Sequence, residues 1–345
     1  MISRQSLSKD WIMRIRKTSQ IPTDPILIEK MILALVLLEN LYISGLDFVF
    51  KGGTCLLLLL GKPRRFSIDI DVVLETDHGL EEAIQIILKQ GVFSRCEENM
   101  RSSNVPKSHY KFFFNSVIED KERSILMDVL FEKNPYPAHI KVPIESELVI
   151  LEGIPNYIKC PTTECLLGDK LTAFAPHTTG ILYGKDKDLE IIKQLYDVGL
   201  LFDVISNINL VAETFTTVAN NELTYRGQNS LTTTDVLADI LNTACVIGMR
   251  GFGSMDEFAE LQRGIKKLSG FVYLEHFTLD SAILCAAKAA YIATLIQKEV
   301  LEIYRFDPGI DLSRVVISDA SYSRLNKVKK TSPEAFHYFY QALMR

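Results

Sequence analysis

The stretch that decides the fold is KGGTCLLLLLGKPRRFSIDIDVVLE, residues 51–75. Its glycine pair follows an apolar run at 48–50 that predicts a β-strand, and it ends in a second apolar run interrupted by Asp69 and Asp71. Residues two apart on a strand point to the same face, so both carboxylates are expected to project together at the end of a sheet. Burying a charge is costly unless the charge is paired or binds a metal, so two acids in an apolar strand indicate a functional site.

The same residue types indicate what this site binds. Neighbouring carboxylates are hard oxygen ligands, which suit a cation such as Mg²⁺ that keeps water and substrate phosphate in its shell. Gly52 and Gly53 have no Cβ, so their backbone N–H groups can approach a phosphate closely. The stretch therefore predicts a site for a metal-chelated triphosphate.

A family resemblance rests on the order GG[ST]…RxSxDxD. The residues that carry it are Gly52, Gly53, Thr54, Arg65, Ser67, Asp69 and Asp71. This order resembles the first motif of the DNA polymerase β-like nucleotidyltransferases. More closely, KGGT…RFSIDID is similar to the AbiEii/AbiGii family, the toxin half of type IV toxin–antitoxin systems. The ordered combination, with strand character at both ends, is more specific than either GG[ST] or DxD alone.

A third acid, Asp128, interrupts the apolar run ILMDVLF at 125–131. A strand-borne acid that recurs after a helix and a further strand predicts a third metal ligand, or the base that deprotonates an attacking hydroxyl. The structural alternatives are an edge residue of the sheet or a salt-bridge partner.

The resemblance also implies residues in the second half of the chain. A lysine on the helix that follows Pro161 contacts the nucleotide phosphates in that family, which assigns this role to Lys170; the alternative is a solvated helix lysine. The segment KQLYD at 193–197 resembles the family's RDLYDL-type motif and places Lys193 and Asp197 beside the site. They are four apart on one helix face, so an intrahelical ion pair also explains them. Lys193 stands for arginine and Gln194 for the first aspartate of that motif.

These inferences give each candidate residue a role. The catalytic set is Asp69, Asp71, Asp128, Lys170 and Asp197, and the metal ligands are Asp69, Asp71 and Asp128. The nucleotide-binding set is Gly52, Gly53, Thr54, Arg65, Ser67 and Lys193. The Thr54 hydroxyl is expected on the β- and γ-phosphates, and Ser67 is expected to form backbone or second-sphere hydrogen bonds. Arg65 lies an even number of residues before both acids and would share their face if the strand already runs there.

The predicted fold class is α+β. A polymerase β-like nucleotidyltransferase domain at 1–160, with a mixed sheet flanked by helices, is followed by an all-α domain at 161–345 that completes the nucleotide site and binds the acceptor. The pattern predicts a helix at 25–44, a short helix capped by Thr54, and strands at 67–74, 110–117 and 124–131. It predicts only helices beyond 205, among them 279–302, 313–320 and 333–344. The loop at 177–187 has the character of a loop that closes over a phosphate site, or of an ordinary connection.

Composition limits the broad class. An apolar fraction of 47% and a charged fraction of 23% over 345 residues are those of a soluble globular protein. Because the net charge is −5, any surface that binds nucleic acid must be a local basic patch. The basic clusters at 263–267 and 327–330 are candidates, but the favoured interpretation is that both are solvated helix faces. Six scattered cysteines predict reduced thiols and no zinc site. The N-terminus has no apolar signal region, and the longest apolar runs are too short to span a membrane. We therefore expect no membrane segment and a cytoplasmic location.

The leading hypothesis is a metal-dependent nucleotidyltransferase that uses an NTP with Mg²⁺ or Mn²⁺. The resemblance implies a toxin in abortive infection that modifies RNA, plausibly the tRNA 3′ end, and has a cognate antitoxin. Alternatives are transfer of AMP to a protein side chain and a nucleotide-binding module without turnover. A glycosyltransferase that uses DxD is disfavoured by the short N-terminal core and the upstream GGT.

Overall fold

The computed structural model describes residues 1–18, 23–98, 105–273 and 275–344. The chain divides into two compact units. Unit 1 contains Met1–Thr162 and Phe271–Glu275, and unit 2 contains Thr163–Gly270 and His276–Arg345. The short segment at 271–275 thus returns to unit 1 from within the second half of the sequence.

The described residues of unit 1 form four α-helices and seven strands. In chain order they are α1 (Lys9–Thr18), α2 (Pro25–Ile43), β1 (Val49–Lys51), α3 (Gly52–Leu60), β2 (Ile70–Leu74), α4 (Leu80–Lys89), β3 (Arg95–Glu98), β4 (Lys107–Asn115), β5 (Glu122–Phe131), β6 (His139–Pro143) and β7 (Tyr157–Pro161). A short 3₁₀ helix, Arg4–Leu7, precedes α1. The expected helix at 25–44 is confirmed, and its N-cap is Asp24, whose side chain accepts from the Ile26 amide.

Five of these strands form one mixed sheet in the order β1-β2-β5-β4-β3. Strands β2 and β5 are parallel, and the other neighbouring pairs are antiparallel. The remaining two strands, β6 and β7, form a separate antiparallel pair. The sheet with its helices confirms the α+β prediction for this part of the chain.

Alternation along the strands separates an apolar face from a polar one. On β5, Ile125, Met127 and Val129 are fully buried, whereas Asp128 between them is only half-buried. On β2, Ile70 and Val72 are buried on either side of Asp71. Because side chains alternate across a strand, the apolar members form the core with α2 and leave the acids on the opposite face.

In its described residues, the regular elements of unit 2 are all helices. Its helices are α5 (Thr163–Ala173), α6 (Asp188–Val204), α7 (Ile208–Tyr225), α8 (Thr233–Gly248), α9 (Met255–Leu268), α10 (Leu279–Gln297), α11 (Val328–Thr331) and α12 (Pro333–Met344), with a 3₁₀ helix at Ala320–Lys327. Among the described residues, α10 alone is long and apolar enough to span a bilayer, and 67% of its apolar window is buried inside the fold. It packs against α6, α8 and α12 as a core helix.

The expected boundaries differ from the structure at several places. Strand β2 begins at Ile70 rather than at 67, and α3 begins at Gly52 with Lys51 at its N-cap, so Thr54 does not cap it. Strand β3 was not expected from the sequence. The predicted helix at 313–320 is wrong, because that segment is irregular up to Asp319, and α10 ends at Gln297 instead of 302. The prediction of helices alone beyond 205 also misses the extended pairing of Val272 with Arg65.

Candidate active site

Four ionisable residues form one row across the polar face of the sheet. Strand register pairs Lys51 with Asp71, Asp71 with Asp128, and Asp128 with His109. Residues directly opposite each other on neighbouring strands project to the same face, so the row runs across β1, β2, β5 and β4. The two carboxylates therefore occupy adjacent positions on parallel strands, which is the convergence of Asp71 and Asp128 that the sequence predicted.

His109 completes this row and was not among the predicted site residues. Its Nδ1 lies 2.6 Å from Asp128 Oδ1, and its side chain is 13% exposed, compared with 32% for Asp128. The predicted strand began at Tyr110, one residue too late to include it. The signal available in the sequence was hairpin register, because a turn between Asn115 and Glu122 sets residue 109 opposite residue 128.

Asp69 lies immediately before β2, which begins at Ile70, so strand parity alone does not fix the face to which its side chain points. Its backbone carbonyl accepts a hydrogen bond from the Thr54 hydroxyl at 2.6 Å, and Thr54 is 1% exposed. The Thr54 hydroxyl, expected on the phosphates, instead fixes the backbone from which the Asp69 side chain projects.

The three-carboxylate cluster expected for a metal is not assembled in this structure. Within the described residues, no group of three or more His, Cys, Asp or Glu side chains is placed to hold an ion. The physical reason is that only Asp71 and Asp128 share a register position, while Asp69 belongs to the preceding loop. Two adjacent carboxylates still fit Mg²⁺, which proteins commonly bind through one or two carboxylates with substrate phosphates and water as the other ligands.

The glycine turn lies directly against this pair. Gly52 has a φ of +82°, and a Cβ added there would collide with Asp71 Oδ2. A Cβ on Gly53 would lie 2.6 Å from both Arg65 Nη2 and Ser67 Oγ. The turn therefore requires glycine for contact with side chains of the motif as well as for backbone freedom.

The same turn forms the N-terminus of α3. The first N–H groups of a helix have no partner within the helix, and the helix dipole favours negative charge beside them. Helix N-termini that follow a glycine turn are accordingly suited to bind phosphate.

Arg65 is positioned beside the glycine turn by pairing with a distant segment of the chain and not by membership of β2. Because β2 begins at Ile70, Arg65 lies outside the strand and instead pairs with Val272 in an isolated antiparallel bridge. The Phe66 amide donates to the Phe271 carbonyl at 2.7 Å, and the Tyr273 amide donates to the Arg64 carbonyl at 2.9 Å. The Arg65 side chain is buried, and its Nη1 donates to the Phe66 carbonyl at 3.1 Å. The segment at 271–273 thus holds the loop that carries Arg65 and Ser67.

The residues predicted in the second half of the chain form their own group in unit 2. Lys170 on α5 is buried, and its Nζ lies 3.0 Å from Asp197 Oδ2 and 3.0 Å from Gln194 Oε1, both on α6. Asp197 is completely buried. Gln194 occupies the position at which the resembling motif has an aspartate. It accepts a hydrogen bond from Lys170, the lysine that the resemblance assigns to the nucleotide phosphates.

Lys193 makes a different contact. Its Nζ lies 2.9 Å from Glu190 Oε1, one helical turn earlier on α6. A pair at this spacing on a helix surface contributes a few tenths of a kcal/mol, roughly. The loop at 177–187 is anchored, because the Gly184 amide donates to Glu260 and the Thr178 hydroxyl donates to buried Asp239. Those contacts are typical of an ordinary structural connection.

Comparisons with known proteins agree with this architecture. The model of the family described as "Nucleotidyl transferase AbiEii toxin, Type IV TA system" matches residues 36–256. The solved structure of MenT4, a nucleotidyltransferase toxin from Mycobacterium tuberculosis, is 13% identical and aligns over 97% of this chain and 99% of its own, with a TM-score of 0.54. At that identity the likeness shows the fold.

A second solved structure and the curated proteins add little. JHP933 from Helicobacter pylori is 14% identical over 87% of this chain and 94% of its own, with a TM-score of 0.43. No curated protein matches the chain.

Proposed function

The chain belongs to the AbiEii family of nucleotidyltransferase toxins of type IV toxin–antitoxin systems, and we propose that it transfers an NMP from an NTP to a hydroxyl of an RNA, with the tRNA 3′ end as the proposed acceptor. The observation that carries the proposal is the adjacent pair Asp71 and Asp128, which lies on parallel strands beside the glycine turn at the N-terminus of α3. The family implies an NTP as substrate and a cognate antitoxin as partner. A cytoplasmic location follows from those substrates and is part of the proposal.

The triphosphate would bind at the glycine turn. The backbone N–H groups of Gly52 and Gly53 begin α3 and would donate to the β- and γ-phosphate oxygens. Arg65 and Ser67, which lie against Gly53, would neutralise and orient the same phosphates. The Thr54 hydroxyl supports this site by fixing the Asp69 carbonyl.

Asp71 and Asp128 would hold the divalent ion, with Mg²⁺ as the proposed species and Mn²⁺ as its substitute. A bound divalent ion supplies neutralisation of phosphate charge and activation of the attacking hydroxyl. Asp128 would accept the proton of that hydroxyl, and Asp69 is proposed to join the metal ligands once the nucleotide is bound. The histidine beside Asp128 limits which carboxylate orientations are accessible, because it fixes Oδ1.

Lys170, Asp197 and Lys193 complete the proposal. Lys170 would neutralise charge on the departing pyrophosphate. An ammonium has three N–H donors, and contacts with Asp197 and Gln194 use two of them, so this role is compatible with the hydrogen bonds that Lys170 makes. Asp197 would hold the ammonium in position, and Lys193 is proposed to contact the nucleotide as a point charge, without the bidentate geometry of arginine.

The experiment is a transfer assay that tests each NTP as donor and detects label in either RNA or protein. The protein is incubated with Mg²⁺, total tRNA and each of the four α-³²P-labelled NTPs in turn. Label in RNA is expected with at least one NTP, and Asp71→Asn and Asp128→Asn should each reduce the rate by about 10²–10⁴-fold. Exposed Asp47 provides the matched control, because Asp47→Asn removes the same charge from unit 1 outside the site. Label that enters only protein, or a rate that survives both substitutions, would overturn the proposal.

A further inference from the structure

A basic cleft in unit 2 lies outside every residue assigned to catalysis. It has a volume of about 360 Å³ and lies between the C-terminal end of α8, the 3₁₀ helix at Ala320–Lys327 and α11; its lining includes Met249, Arg250, Arg324, Lys327, Val328 and Thr331. Its lining contains three cations and no carboxylate. The whole chain carries a net charge of −5, so this concentration of positive charge is local.

The cations of this cleft are available to a ligand. Across the described residues, Arg324 and Lys327 form no ion pair, and both are exposed. Arg250 pairs with Asp280 at 2.9 Å, but both side chains are more than half exposed. An exposed pair contributes roughly 0–1 kcal/mol, so a phosphate can compete for Arg250 at little cost.

An exposed aromatic side chain stands at the edge of the same cleft. Phe252 is 49% exposed, and the Arg324 guanidinium lies 4.2 Å from the centre of its ring. Backbone hydrogen bonds hold the turn that presents Phe252: the Gly251 amide donates to the Val246 carbonyl at 2.9 Å, and the Ser254 amide donates to the Gly251 carbonyl at 3.0 Å.

The combination favours single-stranded nucleic acid over an acidic protein. Proteins bind single strands with cations that follow the backbone and with aromatic faces on which bases stack. Arginine over an aromatic ring provides a planar stacking surface as well as charge. An acidic peptide would use the cations but would have no need of the exposed ring.

We propose that the cleft lined by Arg250, Arg324 and Lys327, with Phe252 at its edge, binds a single-stranded segment of the acceptor RNA. Arg250 and Lys327 contact phosphates, and Phe252 with Arg324 stacks against a base. This inference rests on the proposed function, because it takes RNA as the acceptor. It adds a binding surface that is separate from the residues that perform the transfer.

The test measures binding and transfer separately in the full-length protein. A fluorescein-labelled single-stranded 12-nucleotide RNA is titrated by fluorescence anisotropy at 50–200 mM KCl. Arg324→Gln/Lys327→Gln should weaken binding at least tenfold and reduce the slope of log K against log salt by about 0.7, since Lys327 is the one phosphate contact that it removes and each such contact on a single strand contributes about 0.7. Phe252→Leu should weaken binding about fivefold to a hundredfold with an unchanged salt slope, because it removes stacking alone.

The matched control removes the same charge elsewhere in unit 2. Arg263 and Lys266 on α9 are also exposed and belong to the other basic cluster of the sequence, 263–267, so Arg263→Gln/Lys266→Gln should leave the affinity within about twofold of the wild type if binding is specific to the cleft, whereas an equal loss in both variants would contradict the inference. Thermal unfolding of each variant identifies those that are misfolded. Equal RNA affinity of the wild type and Arg324→Gln/Lys327→Gln overturns the inference. Loss of poly-L-glutamate binding in that variant, with RNA affinity retained, assigns the cleft to an acidic protein and also overturns it.

The transfer assay separates this inference from the proposed function. If the wild type labels RNA and the cleft variants bind and label RNA equally well, only the cleft inference fails. If the wild type labels protein and not RNA, the proposed function fails and the cleft inference fails with it. If the cleft variants label less tRNA than the wild type at low RNA concentration but the same amount at saturating RNA, both the cleft inference and the proposed function are supported.

Discussion

His109 Nδ1 lies 2.6 Å from Asp128 Oδ1, and the two residues are direct register partners on β4 and β5. A side chain that holds one carboxylate oxygen determines the direction in which the other oxygen points. The histidine therefore acts on the site through Asp128 and has the character of a positioning residue. Which ring nitrogen carries the proton is set by this contact.

Replacement of His109 by alanine is expected to lower the NMP transfer rate about 10–100-fold, the usual cost when the partner of a metal-binding group is removed. The rate should be measured as a function of Mg²⁺ concentration, because a misoriented Asp128 raises the concentration needed for half-maximal rate. His109→Asn retains an amide nitrogen near the Nδ1 position and should recover much of the loss. Identical Mg²⁺ curves for the wild type and His109→Ala would show that the contact is only structural.

Gly52→Ala is expected to reduce transfer by about 10²-fold, because the new Cβ would displace the Asp71 carboxylate and sub-ångström placement matters at a reacting centre. Gly61, at the C-cap of α3, is the matched control: it also has positive φ (+68°), but nothing lies within 4 Å of an added Cβ. Both variants should lose about 1–2 kcal/mol of unfolding free energy from backbone strain. Only Gly52→Ala should lose activity, and equal activities would contradict the role assigned to the turn.

The Lys170–Asp197 pair allows structure and chemistry to be separated by a double-mutant cycle. Lys170→Met leaves a completely buried carboxylate without its cation, which costs about 3–5 kcal/mol of stability. Lys170→Met/Asp197→Asn removes both charges and should recover much of that stability in urea unfolding. Transfer activity should stay low in the double variant if the ammonium contacts phosphate. Recovery of activity together with stability would assign the pair a structural role only.

Glu29 on α2 is a stability determinant of the β4–β5 hairpin. It is 3% exposed, and its carboxylate accepts from the Ser116 hydroxyl at 2.6 Å and from the Val117 amide at 2.7 Å. Glu29→Ala removes the acceptor of both donors and should cost about 1–3 kcal/mol for the buried Ser116 hydroxyl, and less for the partly buried Val117 amide. Glu29→Gln keeps a carbonyl oxygen that can accept from one of the two donors and should cost less. Urea unfolding of the two variants measures the difference, and equal costs would contradict it.

Sequence alternation was sufficient to locate the central part of the site. An acid inside an apolar strand identified both Asp71 and Asp128, and period-two alternation placed them on the polar faces of their strands. The resemblance supplied the glycine turn and Lys170. Each of these inferences uses residues that are close together in sequence or belong to one motif.

The features that were missed depend on pairing between distant segments. Residues 64–66 pair with residues 271–273, and no local pattern near Arg65 indicates that contact. His109 acquires its place only through hairpin register. The Lys170–Gln194 hydrogen bond joins two helices 24 residues apart in sequence, and its acceptor is a residue that departs from the motif.

The pairing of Arg65 with Val272 also has a consequence for synthesis of the toxin. The loop that carries Arg65 and Ser67 lacks its backbone partner until the chain has been translated past Tyr273, long after the strands bearing Asp71 and Asp128 have left the ribosome. A nascent or prematurely terminated chain therefore retains the acids but has an unsupported phosphate loop. If Arg65 and Ser67 bind the triphosphate as proposed, a chain released before Tyr273 is therefore expected to lack transfer activity.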